Sequence, residues 1–380
     1  MGPQATGWAA QMNRIMTATL IGFTGTAALA ETPEPPVLLP QWEPVFSVRS
    51  GGGYKDNVFL SHANPQGSAF LSAGADLLAL RVAPEGPQFS LFAGADTTHF
   101  LQPSHHEATA FALAKVEQDF HRIWQGSFAV EYLYQDQFAD VAFLDPGTNV
   151  AVRAAAIRSH MITARPAVEL ALPRELRLAL ELPVTRAYYN DLLDDDWRGG
   201  LKLALARDYG SKSELSTSYG PTWRWYDEDP ALTSSGASIP GTQRERIQHE
   251  AQLTWRHHWD KPMHWRTTAK CGSRMVEENG GGYADHTQLF ASVQVRYRCS
   301  GWEIAAAGGL RYYDYRRQTL SAMDARTRAR TEWSAGINFE RRLTKHLGLA
   351  VSLDHERTLS NDELESYSVN AVSGTLQWEF

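Results

Sequence analysis

From Trp42 to the terminal Phe380, apolar residues recur at every second position for stretch after stretch. Leu176, Leu178, Leu180, Leu182 and Val184 show the pattern most plainly, with Arg177, Ala179, Glu181 and Pro183 between them. A period of two places one set of side chains on one face of an extended strand, whereas a helix needs a period of 3.6. The alternation returns in Phe128–Tyr134, Leu201–Leu205, Leu289–Tyr297, Trp333–Phe339, Leu347–Leu353 and Val372–Phe380. About sixteen such segments follow one another, the first near 43–56 and the last near 366–380. No comparable stretch holds helical spacing for long.

The connections between these segments alternate in length. Short ones include Ala83–Gly86, Pro173, Tyr209–Lys212, Asp260–Pro262, Ser300–Gly301 and Thr344–Lys345. Long polar ones include Ser61–Ser68, Gln137–Ala155, Asn190–Asp196, Asp227–Arg246, Glu277–His286, Arg317–Arg330 and Thr358–Glu365. Short turns at one end and long loops at the other are the rhythm of a membrane-spanning barrel. The expected fold is therefore all-β: a closed antiparallel transmembrane β-barrel of about sixteen strands, with both chain ends on the short-turn side. A soluble all-β exoprotein would share the alternation but has no reason to alternate its loop lengths.

Aromatic residues support two interfaces. Trp124, Tyr209, Trp259, Trp265, Trp302 and Trp378 fall near the short turns or the C-terminus. Tyr188, Trp197, Trp223, Trp225, Tyr312, Tyr315, Trp333 and Tyr367 fall near the long loops. Amphipathic rings gather at both membrane surfaces. Mean hydropathy is −0.37, and past the N-terminal region no run of apolar residues reaches the ~18 needed for a spanning helix. A barrel meets lipid with only every second residue, so it escapes that test. The net charge of −7 argues against a nucleic-acid partner.

The first thirty residues read as a signal peptide. Met12-Asn13-Arg14 supplies a positively charged start, Ile15–Thr26 a mostly apolar stretch, and Ala28-Leu29-Ala30 a small-residue cleavage site. On this reading either translation starts at Met12 or residues 1–11 are a tolerated extension, residues 31–41 form an extended, proline-rich leader, and 42–380 form the barrel. Cys271 and Cys299 are the only cysteines. An exported pair suggests a disulfide, but the strand reading sets the two about seven residues out of register, roughly 20 Å at ~3.3 Å per residue, beyond disulfide reach.

The signal peptide, the repeated amphipathic strands and the final Leu376-Gln377-Trp378-Glu379-Phe380 together resemble bacterial outer-membrane proteins. That resemblance implies an outer-membrane location. It also implies that Trp378 and Phe380 belong to the C-terminal signal read by the barrel-assembly machinery. Gly53-Tyr54-Lys55-Asp56-Asn57-Val58-Phe59 is similar to the opening strand of porin-like barrels, some associated with exopolysaccharide export. It is also similar to the barrel part of surface-lipoprotein assembly modifiers, whose usual helical-repeat domain has no room here.

If the apolar parity faces lipid, the other parity lines the lumen. It places Arg256, Arg266, Lys270, Arg274, Arg296, Arg298 and Arg311 on one wall, with Glu250 and Glu303 among them. Glu332, Glu340, Asp354, Glu356 and Glu379 fall on the next wall. A basic wall beside an acidic one sets up a transverse field that filters ions, favouring anions such as acidic sugars at the basic side. The alternative is that these charges pair across neighbouring strands and only keep the lumen wet.

Catalysis is weakly supported. His105-His106 and His257-His258 are sequence neighbours, so in strands their side chains point to opposite faces, which is poor metal geometry. Asp194-Asp195-Asp196 is either a cation-holding or a solvated acidic loop, and Gly280-Gly281-Gly282 has no following helix to make a phosphate cradle. The expected function is a porin-like channel for hydrophilic solutes or polysaccharide, anionic ones in particular. It needs no cofactor, metal or catalytic residue, and its partners are outer-membrane lipid and the assembly machinery. The rival is a non-conducting barrel that assists polysaccharide export or surface-protein assembly.

Overall fold

The computed structural model describes residues 42–81, 86–102, 104–143, 151–190, 193–260, 262–320, 324–362 and 365–380, with backbone only at 138–143 and 151–156. The expected signal peptide, the expected proline-rich leader and most of the Ala83–Gly86 turn lie outside the described residues.

Sixteen strands run up and down in sequence order. They are β1 (Trp42–Lys55), β2 (Ser68–Arg81), β3 (Gln88–Leu101), β4 (Ser104–His121), β5 (Trp124–Phe143) and β6 (Ala151–Leu172). Two interrupted strands follow: β7 (Leu176–Glu181 and Val184–Tyr189) and β8 (Asp196–Gly200 and Lys202–Tyr209). The remainder are β9 (Ser213–Tyr226), β10 (Glu245–His258), β11 (Trp265–Glu278), β12 (His286–Cys299), β13 (Trp302–Thr319), β14 (Thr327–Arg342), β15 (Leu347–Ser360) and β16 (Tyr367–Glu379). Each pairs antiparallel with its chain neighbour, and β16 pairs with β1 from Ser47↔Glu379 to Lys55↔Ala371, which closes the sheet. Sixteen strands ~4.8 Å apart and tilted ~40° give a backbone radius of roughly 16 Å, wider than side chains alone can fill.

The interruptions have a local cause. Pro183 has no N–H for the ladder, so β7 breaks at Leu182-Pro183 and β8 answers with its own break at Leu201. The free carbonyls are recovered: Gly200 N donates to Pro183 O at 2.9 Å and Leu201 N to Pro221 O at 3.1 Å.

The alternation sorts as expected. Apolar residues point outward, where Leu71 is 61% and Leu289 53% exposed on the protein alone. That apolar belt is a lipid-facing surface. Three expectations need correction. Tyr315 and Tyr367 face the lumen, opposite His286 and Thr358, and so leave the outer aromatic belt. The stretch 137–155 is not mainly loop, because β5 and β6 pair all the way from Gln137↔Ile157 to Phe143↔Ala151. Asp196 is neither in a loop nor solvated: it lies in β8, fully buried between Arg198 and Arg224.

Both cysteines are free. Cys271 stands opposite Ala291, eight positions from Cys299, close to the expected offset.

The Gly53–Phe59 segment closes the barrel at its long-loop end. Asn370 N donates to Asp56 Oδ1 (2.7 Å) and Asn370 Nδ2 to Asp56 Oδ2 (2.6 Å). Asn57 Nδ2 donates to Ser368 O (3.2 Å) and to Ser61 O (2.8 Å), while Ser61 N donates to Asn57 Oδ1 (2.9 Å). Asn57 and Val58 are buried. Gly53 is glycine because a Cβ there would meet Val372 O on β16 and the Phe70 ring on β2.

Candidate functional site: the lumen wall

Cross-strand register decides which side chains share a face, since directly paired residues in an antiparallel sheet point the same way. Arg256 pairs with Thr268, Arg266 with both His258 and Arg296, Lys270 with Thr254 and Ser292, and Arg274 with Glu250 and Gln288. Arg298 pairs with Glu303, Glu303 with Glu340, and Arg311 with Glu332. Asp354 and Glu356 continue the same face opposite Gly336 and Ser334. The structure thus brings these basic- and acidic-wall residues onto one face, opposite to that of Leu253, Leu289, Ile337 and Leu353, and Glu379 stands opposite Ser47 at the short-turn end. That face is the lumen.

The wall is not uniformly basic, because most of its arginines are neutralised by neighbours. Arg274 donates to Glu250 through Nε (2.9 Å) and Nη2 (2.7 Å). Arg296 and Arg298 share Glu303 at 3.1 and 2.6 Å. Arg311 meets Glu332 at 3.4 Å, and Arg256 meets Glu214 at 3.4 Å, where Arg177 also binds at 3.0 Å. On the acidic side Asn338 Nδ2 donates to Glu340 (2.6 Å) and Tyr367 OH to Glu356 (2.5 Å).

Two cations of the wall remain, Arg266 and Lys270. Among the described residues no carboxylate lies within ion-pair distance of either. Lys202 on β8 joins them: it pairs with Glu181 in register yet makes no ion pair. The sequence reading missed Lys202, although its position one residue before Leu203 and Leu205 already assigns it to the lumen parity. From the short-turn end upward, Arg266, Lys270 and Lys202 lie two, six and eight residues along their strands, forming a rising ladder of uncompensated positive charge.

The long-loop end of the lumen is built differently. Tyr226 is buried, with the guanidiniums of Arg224, Arg244 and Arg246 over its ring at 4.3, 5.1 and 5.4 Å. Glu278 accepts from Nε of both Arg244 (3.1 Å) and Arg246 (2.9 Å). The 227–244 loop is tied down by Asp194, which accepts from Glu228 N and Asp229 N, and by Gly281 N donating to Leu232 O. Asp194 and Asp195 therefore serve as loop anchors, Asp195 O accepting from Asp227 N. In this region the Arg186 hydrogen bond holds the Asp227 carboxyl below its usual range, and burial pushes the Tyr283 phenol up. Among the described residues no group of His, Cys, Asp or Glu converges as a metal site.

No protein-family model matches the sequence, and no curated protein matches it. Among solved structures the chain is similar to OccAB4 of Acinetobacter baumannii, with TM-score 0.50 and 9% identity, covering 91% of this chain and 100% of that one. It also aligns with OccK8 (OprE) of Pseudomonas aeruginosa at TM-score 0.46 and 9% identity, covering 89% and 98% of the two chains. The first likeness shows a shared fold over nearly the whole of both molecules. With its closed sixteen-strand sheet, outward apolar belt and polar lumen, the chain has the fold of a porin-type β-barrel.

Proposed function

We propose that the protein is a passive channel that favours small hydrophilic anions, acidic sugars among them. The observation that carries this reading is the ladder of Arg266, Lys270 and Lys202, three cations that make no ion pair among the described residues, beside wall arginines that are matched. Each contributes about 0.4 kcal/mol to an anion ~10 Å away in water, so three give about 1 kcal/mol, or about fivefold in permeability ratio before screening. Trp378 and Phe380 we assign to recognition by the assembly machinery. Both are exposed at the short-turn edge, with Phe380 N donating to Phe46 O.

The test is single-channel conductance of the mature protein in a planar bilayer, with reversal potential under a KCl gradient. Wild type should open stably and select anions. The triple variant Lys202→Gln, Arg266→Gln, Lys270→Gln should keep its conductance and lose the anion preference. An unchanged reversal potential would sink the ladder, and a folded barrel with no openings would shift the reading to an assembly or export partner.

A further inference from the structure

On the outer surface of the barrel, where β14, β15 and β16 meet the end of β1, lies a groove of about 410 Å³. Ala335, opposite His355, makes the depression, because a small outward residue there leaves the wall low. Its two ends differ in chemistry. Toward the membrane interior it is lined by the outward-facing Ile337, Leu353 and Val372. Toward the long-loop end it is lined by Tyr54, Asp56, His355 and Asn370. His355 is held in place, with its Nδ1 2.7 Å from Asn370 Oδ1 and its ring 4.5 Å from that of Trp333. Asp56 is occupied by Asn370, so its carboxylate is turned to the β1–β16 closure.

Two residues further along β15 on the same outward face stands Arg357, exposed and paired in register with Ser368 and Trp333. Among the described residues no carboxylate lies within ion-pair distance of Arg357. An uncompensated guanidinium above a groove that is polar at the membrane surface and apolar below matches one kind of occupant. A lipid has an anionic head at one end and hydrocarbon at the other, and Arg is well suited to phosphate oxygens. The short-turn end of the barrel offers a contrast, since its outward arginines are already stacked on rings: Arg81 over Phe89 at 5.4 Å and Arg341 over Trp302 at 4.2 Å.

We propose that this groove is a binding site for a single anionic phospholipid. Arg357 and Ser368 take the phosphate, His355 and Trp333 flank the headgroup, and one acyl chain runs down over Leu353, Ile337 and Val372. The site is independent of the channel reading, because it lies on the opposite face of the sheet from the cation ladder.

The experiment is fluorescence quenching in vesicles of phosphatidylcholine containing brominated phosphatidylcholine or brominated phosphatidylglycerol. Trp333 is the reporter, its signal taken as wild type minus Trp333→Phe. Phosphatidylglycerol should quench Trp333 with about fivefold higher affinity than phosphatidylcholine, and Arg357→Gln should bring the two together. Ala335→Leu, which fills the groove and leaves the charge, should weaken quenching by both lipids. All variants should first show the heat-dependent gel shift of a folded barrel. Equal quenching by the two lipids in wild type, general annular lipid only, would overturn the proposal. So would a phosphatidylglycerol preference that survives Arg357→Gln, or a groove-filled variant that quenches like wild type.

Discussion

Asn57→Ala should destabilise the barrel by about 3 kcal/mol while leaving its channel properties alone. Asn57 is 1% exposed and makes three hydrogen bonds: two from its amide to Ser368 O and Ser61 O, and one accepted from Ser61 N. One of these crosses the junction where the first and last strands meet, 311 residues apart in sequence. Each net hydrogen bond contributes about 1 kcal/mol, and the groups left buried and unpaired add to the loss. Reversible urea unfolding in lipid vesicles is the assay. With a slope of about 3 kcal/mol per molar, the midpoint should fall by about 1 M at unchanged slope. Asn57→Asp keeps the acceptor for Ser61 N and loses both donors, so it should fall between. Leu60 follows in the same loop at φ 54°, a left-handed conformation that favours glycine. Leu60→Gly should therefore be neutral or stabilising by up to about 1 kcal/mol, which separates the Asn57 effect from general loop damage. A midpoint within ~0.2 M of wild type for Asn57→Ala would refute the closure role.

Glu214→Gln should raise anion selectivity, because it removes a lumen carboxylate and releases Arg256, while Arg177 keeps Asp208 at 3.3 Å; a reversal potential moving toward the cation side would contradict the charge assignment. Cys271 and Cys299 are free, so the folded protein denatured in alkylating reagent without reductant should gain two adducts by mass, whereas none would mean a bond this register forbids. The Asp227 carboxyl is depressed by the Arg186 hydrogen bond, so its stabilisation of the 227–244 loop is complete above the ordinary carboxylate value of ~4 and fades as pH falls through its lower folded value. Hydrogen exchange at the Asp227 amide, bonded to Asp195 O, should follow that acid-side course in wild type and lose it in Asp227→Asn.

How much of this was legible in the sequence depends on how far each feature reaches. Strand existence, strand number and the inward or outward sense of a residue are set by its own neighbours two positions away. Leu176–Val184 and Leu289–Tyr297 therefore declared themselves, and so did the lumen parity of Arg266 and Lys270. Pairing depends on the register between two strands, which no single strand encodes. Glu214 lies 42 residues before Arg256, and only the sliding of β9 against β10 makes them partners. That is why the sequence showed seven basic residues as one wall while the folded wall keeps two of them uncompensated. Lys202 adds a third through local information that was present and unused.

Parity also has limits near strand ends. Tyr315 and Tyr367 stood close enough to the long loops to look like belt aromatics, yet each sits on the inward count of its strand. Asp194–Asp196 looked alike as three consecutive acids, but the strand begins at Asp196 and buries it between two arginines, while Asp194 remains to cap loop amides. The Gly53–Phe59 segment is the reverse case: a short local run whose purpose is a contact 311 to 314 residues away. Its glycine admits the close approach of β16, and its Asp56 and Asn57 hold Asn370 and Ser368. A barrel closes only when its two most distant strands find the same register, and side chains that hydrogen-bond to the partner backbone at one defined rung penalise every other register.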